Sequence, residues 1–446
     1  MLKDSRTIWG AIFLLFSVLA RGQADLGSAT LPGAWQATYA NPAVFPDHRV
    51  VFALPGFYGN ISSTSFAWGD LISEGSGGRK RIDPDRLIGR LEDHNVLRVQ
   101  SDLPLLGIGI SVKKWLLSAG VQVRASARIA FPRTLAELLW RGNAGFIGET
   151  IELGPELNSS LFNESFIGLA FQPGPKLSFG GRVKLLNGLF NVSTTSHRLF
   201  LGTGVDAYEL LLDADYRINT TADFTYTGLD SLRLGVVRPE ISRLFGDNPG
   251  FAIDFGIRYQ SGPLVLQASV LDLGKLHWKK DARSLQVDGT FEFKGMDIFR
   301  QLLDGSGSGP IQLLDSLEAQ YEVRQSSGTY QTWLPVRVFG SAAFDFNDFV
   351  QGTGTLLLEV DGSYLHTALA LGGRLKVGKW ANLGLLYAIR HGRANHLGLN
   401  AVLNAGPLQI VAATDHLGAW LAPENARATN LRLGMNLIFG RVRAEK

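Results

Sequence analysis

Between Leu117 and Ala130 the chain alternates apolar and polar residues without a break. Leu117, Ala119, Val121, Val123, Ala125, Ala127 and Ile129 fall on one side, and Ser118, Gly120, Gln122, Arg124, Ser126 and Arg128 on the other. Neighbouring side chains of an extended strand point to opposite faces, so such a stripe is a strand standing between two environments. The pattern recurs along the chain. Leu210, Leu212, Ala214, Tyr216 and Ile218 oppose Glu209, Asp213, Asp215, Arg217 and Asn219. Ile253, Phe255, Ile257 and Tyr259 oppose Asp254, Gly256, Arg258 and Gln260, and Leu383, Leu385, Tyr387 and Ile389 oppose Gly384, Ala388 and Arg390. Leu431, Leu433, Met435, Leu437 and Phe439 oppose Asn430, Arg432, Gly434 and Asn436. Strands of globular proteins average about 5 to 6 residues, whereas a tilted strand that crosses a bilayer needs about 9 to 11. Several of these stripes reach the second length. A soluble β-sandwich would use shorter ones.

The N-terminus points the same way. Lys3 and Arg6 precede an apolar core from Ile8 to Ala20, and Gly22-Gln23-Ala24 offers small residues at −3 and −1, the layout of a secretory signal over residues 1–24. No later stretch of about 18 apolar residues follows, so no transmembrane helix is expected. An exported chain of long alternating strands implies an outer-membrane barrel. Aromatic residues near stripe ends (Trp115, Tyr259, Trp278, Trp333, Tyr364, Trp380, Phe439) suit interfacial girdles.

Turn residues punctuate the stripes at Ser261-Gly262-Pro263, Asp361-Gly362, Gly378-Lys379, Gly392-Arg393 and Ala405-Gly406-Pro407. The spacing predicts an all-β, antiparallel, up-and-down transmembrane barrel of about 14 strands. Short loop helices are expected after the Asp83-Pro84 cap, over Thr134 to Arg141, and over Asp297 to Leu303 and Ile311 to Leu317. The chain thus divides into a signal (1–24), an N-terminal segment with a hatch and first strand or helix (25–100), and the barrel (101–446).

The segment Tyr39-Ala40-Asn41-Pro42-Ala43-Val44-Phe45-Pro46, set ahead of the first strand-like run, resembles the N-terminal motif of the fatty-acid-transporter-like outer-membrane barrels. The nearest likeness is to Bacteroidota members related to barrels of type IX secretion and gliding. Ala252 to Gly256, Ala268 to Gly274 with Trp278, and Asn430 to Gly440 fit the same likeness. The resemblance implies that Asn41, Pro42 and Ala43 fold into the lumen as a hatch. It implies a hydrophobic small-molecule cargo or, in the secretion-associated branch, a scaffold with protein partners. Independently, Pro42 holds Asn41 extended, so its short amide can bridge lumen groups; an ordinary Asn-Pro turn is the plainer reading. After Phe439 the chain runs on for Gly-Arg-Val-Arg-Ala-Glu-Lys, a departure from barrels that close on a terminal aromatic.

The polar stripes should line the lumen, which places Arg124, Arg128, Asp215, Arg217, Asp254, Arg258 and Arg432 there, with Arg182, Lys184, Glu359, Arg374 and Arg390. A mixed-charge interior can hold a plug or line a polar path. Enzymatic chemistry is not expected. The chain has no cysteine, His391 and His396 miss zinc-helix spacing, and Asp415 and His416 are strand neighbours that point apart. No metal or cofactor is expected. The net charge of +3 gives no reason to expect nucleic acid, and the partner surface is membrane lipid.

Overall fold

A computed structural model describes residues 26–441, apart from Pro32 and residues 75–79, 206–208, 222–223, 226–232, 235–245, 294–323 and 391–392. The signal sequence, the two helices expected between 297 and 317 and the Gly392 turn fall outside the described residues.

Twenty strand segments form one antiparallel sheet that closes on itself as a 14-strand barrel. Strand β1 is His48–Ala53 continued by Phe57–Ser63, followed by β2 His94–Val112, β3 Trp115–Pro132, β4 Glu156–Gly174 and the long β5 Leu177–Thr203. Three interrupted strands come next: β6 (Leu210–Thr220, then Pro249–Ser261), β7 (Leu264–Trp278, then Arg283–Phe293) and β8 (Arg324–Ser327, Tyr330–Trp333, Val336–Asp345). The meander finishes with β9 Val350–Asp361, β10 Tyr364–Val377, β11 Ala381–Arg390, β12 Arg393–Ala405, β13 Leu408–Thr414 and β14 Ala428–Arg441. Closure pairs β14 with β1, from His48 opposite Arg441 to Ser62 opposite Ala428. The run beyond Phe439 thus belongs partly to the closing strand.

The wall starts at His48, well before residue 101. Leu54-Pro55-Gly56 cuts β1 into runs of 6 and 7 residues, too short to stand out as a stripe. On β5, Asn187 pairs with Pro249 and Val192 with Thr220, so the two halves of β6 lie end to end along a single neighbour. Every connection at one end of the barrel is a tight turn, and the left-handed glycines Gly262, Gly378 and Gly406 (φ 54, 57 and 60°) make three of them, while the Asp361-Gly362 hairpin lies at the opposite end. Longer loops lie at the other end, over 64–93, 133–155 and 415–427. There α1 (Pro84–Ile88) is capped by Asp83, whose Oδ1 accepts from the Arg86 amide at 3.1 Å. The amphipathic α2 (Arg133–Arg141) lays Leu135 and Leu138 on Ile151, Leu153 and Leu201.

The outer wall is apolar and uncovered. Leu117, Ile167, Leu185, Leu371, Leu385, Leu433 and Met435 point outward, with Leu385 51% exposed at mid-height of its strand. A soluble protein does not leave so broad an apolar surface open to water. Trp115 stacks on Phe171 at 4.2 Å near the tight-turn end, where Trp380, Phe346 and Phe349 are also exposed. Two aromatics expected in the girdles face inward instead. Trp278 is fully buried against Phe162, Leu186 and Leu276, and Tyr364 lies under the Arg128 guanidinium.

If the outer wall meets hydrocarbon, Leu385→Arg should destabilise the folded barrel by about 2 to 4 kcal/mol, while Leu385→Phe should be close to neutral. Urea titration of refolding into lipid vesicles measures this. Equal stability of the two variants would mean that this face is wet.

Candidate functional site

The lumen of the barrel is occupied by the chain's own N-terminal segment. Residues 26–47 enter from the tight-turn end, where they run into β1, and reach mid-height at Leu26. A 3₁₀ turn over Trp35–Tyr39 is buried within the ring. Leu26 and Ala40 pack on Leu271, Phe339 and Leu357; Leu31, Ala34 and Ala37 on Val402 and Val411; and Trp35 on Val51, Phe166 and Ile438.

Wall glycines make the space. A β-carbon on Gly107 or Gly109 would sit 2.8 Å from the Trp35 ring. On Gly180 it would collide with the Pro42 carbonyl, on Gly256 with the Asn41 carboxamide, and on Gly434 with Gln36. Plug and wall fit because the wall gives up side chains along the seat.

Hydrogen bonds fix the register. The Asn41 amide donates to the Ile257 carbonyl at 3.1 Å and to Gln267 Oε1 and the Ala268 carbonyl at 3.4 Å each, while its Oδ1 accepts from the Ala43 amide at 2.8 Å. One side chain thus caps its own turn and reaches the backbones of β6 and β7. The Ala43 and Ala40 carbonyls accept from Ser178 and Ser269, and Pro42 lies on Gly180. Gln36 and Asn436 exchange amide hydrogen bonds at 3.1 and 2.9 Å. The Asp415 carboxylate accepts from the Leu26 and Gly27 amides at 3.0 and 3.1 Å, and from Asn430 at 2.9 Å.

Towards the long-loop end the lumen is crossed by a belt of buried ions. Asp272 accepts from Lys184 Nζ at 2.6 Å, from Arg124 at 2.8 and 3.2 Å, and from Arg337 at 2.6 and 2.9 Å. Arg124 also bonds Glu164 (2.9 Å) and Asp102 (3.3 Å), and Lys184 bonds Asp254 (2.8 Å). Arg98 pairs with Glu359, and Arg128 bridges Glu156 (2.9 Å) and Asp361 (3.0 Å). The belt ties β2 and β3 to β7, β8 and β9 across the ring.

Asp272 takes this role through a β-bulge. Ile253 faces Leu273 and Phe255 faces Val270, so Leu271 and Asp272 together oppose Asp254, and Asp272 has φ 63°. Its amide donates to Asp254 Oδ1 at 2.8 Å.

Of the residues read as lumen-facing, Arg124 and Asp254 lie in the belt and Arg128 in the pair of bridges beside it. Arg432 lies 4.6 Å over the Tyr58 ring, and Arg258 bonds Gln260 near the tight-turn end. Asp215 and Arg217 do not join them. They lie on the part of β6 that extends past the ring, on the face opposite Ala214 and Tyr216, where Arg217 is exposed. Beyond the apolar band water is on the outside, so the apolar face turns inward: Leu210 and Leu212 pack against Ile151 and Leu201. Sequence reasoning missed Asp272, Glu164, Asp102 and Arg337 as belt members and Gln36 as a plug anchor. An Asp inside the apolar run Val270-Leu271-Asp272-Leu273 was the signal available for the first. Asp415 and His416 diverge, the carboxylate to the plug and the ring to His396, with Nδ1 atoms 3.0 Å apart. Among the described residues no group of three or more His, Asp or Glu side chains could hold a metal.

These features define a plugged β-barrel with an apolar outer wall. Residues 42–415 match the family described as "Family of unknown function (DUF5723)", and the chain belongs to that family. No curated protein matches the sequence. Solved barrels resemble it in fold. The toluene transporter TodX of Pseudomonas putida is 11% identical over 94% of this chain and 98% of its own, with a TM-score of 0.41. A Pseudomonas aeruginosa FadL homologue is 12% identical over 94% and 97%, with a TM-score of 0.44. The translocator domain of autotransporter NalP from Neisseria meningitidis is 8% identical over 87% and 88%, with a TM-score of 0.32.

Two substitutions separate plug from belt. Gly256→Leu fills the seat of Asn41 and should leave a folded barrel in which chymotrypsin cuts at Trp35 or Tyr39, sites shielded in the parent. Resistance equal to the parent would show that the seat tolerates the side chain. Asp272→Asn removes the charge shared by three buried cations and should destabilise the barrel by about 3 to 5 kcal/mol. A urea midpoint within error of the parent would show that the belt contributes little.

Proposed function

We propose that this protein is an outer-membrane barrel in which residues 26–47 act as a hatch on the passage of a hydrophobic small molecule. The observation that supports the hatch is that no ion pair among the described residues holds it. Asp47 is the one formally charged side chain between 26 and 47, and among the described residues no ion pair joins this segment to the wall. The ion pairs of the belt run from wall strand to wall strand. Displacing the plug therefore breaks neutral hydrogen bonds, the Asp415 contacts, the Arg182 contact over the Tyr39 ring and the packing of Leu26, Leu31 and Trp35, and leaves the belt intact. The cargo class comes from the likeness of the Tyr39 to Pro46 segment to fatty-acid-transporter-like barrels.

A scaffold reading, in which the barrel carries surface proteins and passes nothing, is favoured by a different observation. The wall pairing is continuous round the ring, and the cavity between Arg124, Arg337, Tyr58 and Glu359 holds only about 30 Å³, roughly one water. A link to secretion or gliding machinery rests on the short motifs alone.

Deletion of Leu31 to Pro46 distinguishes the readings. The wall's hydrogen bonds close without the plug, so the variant should assemble, conduct ions in planar bilayers above the parent, and admit oleate faster into reconstituted vesicles. Asn41→Ala should give a weaker form, since one lost buried partner is worth about 1 to 3 kcal/mol. A folded deletion with the parent's conductance removes the hatch. Raised conductance without oleate uptake removes the hydrophobic cargo.

A further inference from the structure

The outer wall carries a groove that the hatch does not use. It lies where β6, β7 and β8 pass side by side, with a volume of about 460 Å³, and no acidic residue lines it. Its floor is apolar: Phe251, Leu273 and Trp333 are all exposed, Trp333 by 73%. Its upper rim is basic, formed by Lys275, His277 and Lys279. Lys275 Nζ stands 5.3 Å over the Trp333 ring, and among the described residues neither Lys275 nor Lys279 has a carboxylate partner. Lys280, the next residue, is already paired with Asp247 at 2.6 Å.

The height of the groove is set by β7. Leu264, Leu266, Ala268, Val270 and Leu273 face outward, and the outward positions that follow are Lys275 and His277. With the bulge residue adding no height, about 3.3 Å per residue and a tilt near 40° take Leu264 to Leu273 up roughly 20 Å and Leu264 to Lys275 roughly 25 Å, the height of the apolar band of outer-membrane barrels. Lys275 therefore lies where hydrocarbon gives way to headgroups. The groove belongs to the long-loop end, which in such barrels faces the cell exterior. We infer that this groove binds the phosphorylated, multiply acylated glycolipid of the outer leaflet, lipid A, with its acyl chains along Phe251, Leu273 and Trp333 and a phosphate between Lys275 and Lys279. Two unpaired lysines above an exposed indole match an anionic headgroup on an acyl body, and a zwitterionic phospholipid would leave the second lysine without a counter-charge.

The inference rests on the outer-membrane reading, and the test keeps the two apart. Native mass spectrometry of the folded, heat-modifiable barrel in mild detergent is titrated with diphosphoryl lipid A, monophosphoryl lipid A and phosphatidylethanolamine. Diphosphoryl lipid A should bind best. Lys275→Glu with Lys279→Glu should weaken it at least about tenfold, as loss of two cations at a charged surface requires. Lys113→Glu with Lys114→Glu, on the opposite rim, should leave binding unchanged. A folded parent that binds no lipid A, equal binding of phosphatidylethanolamine, or equal losses at the two rims would overturn the site while leaving the barrel reading in place. Recovery of the unaltered chain from the soluble fraction would overturn both.

Discussion

Everything in this molecule follows from closing a 14-strand sheet on itself. In hydrocarbon every backbone donor and acceptor must be met within the wall, so the ring has to be complete, including at the junction where it closes. That junction is β14 with the broken β1. Even there the break is bridged, because the Leu54 amide donates to Met435 and the Gly56 amide to Pro104, both at 2.9 Å. Closure at this strand number creates a second problem. Side chains alone fill a ring of about eight strands, whereas wider rings leave a lumen. This chain fills the excess with a folded-in segment in one half and buried ions in the other.

The part of this design legible in sequence is the part with a two-residue period. Outward residues such as Leu117, Leu385 and Met435 were readable because lipid permits only apolar side chains there. The Asp361-Gly362 and Ala405-Gly406-Pro407 turns were readable because tight hairpins need left-handed residues. Alternation fails wherever the backbone stops alternating. At Asp272 a single extra residue reverses the facing of the strand beyond it, and no local count of apolar residues reveals that reversal. It fails again at Leu210–Thr220, where the stripe is intact but its two environments have exchanged places above the membrane. Trp278 and Tyr364 were misplaced for a related reason: proximity to a strand end says nothing about which face a ring occupies.

The N-terminal segment has no period to read, and the expectation that Asn41, Pro42 and Ala43 fold into the lumen came from the family resemblance. Asn41-Pro42 marks a chain that cannot continue as strand, yet its seat is spread over Gly107, Gly109, Gly180, Gly256 and Gly434, which are distant in sequence. Each of these glycines resembles an ordinary strand glycine in its own stripe. Their common purpose appears only when Trp35, Gln36, Asn41 and Pro42 are brought against them.

The division of labour inside the lumen has a physical logic. Ion pairs removed from water are costly to separate one partner at a time, so they suit contacts that stay made. Arg124, Lys184, Arg337 and Asp272 join wall strand to wall strand, and such a brace can hold the ring's cross-section whether the plug is present or absent. Neutral amides and small apolar contacts are exchanged for water at far lower cost. Such contacts make much of the seat of residues 26–47, together with the buried Leu26, Leu31 and Trp35, the Tyr39 ring under the Arg182 guanidinium, and Asp415, whose anion is met by two backbone amides and by Asn430. A charge on the plug paired into the belt would have locked the lumen shut. On the proposed hatch reading, leaving the segment nearly chargeless keeps the fixed and the removable parts of the barrel energetically separate.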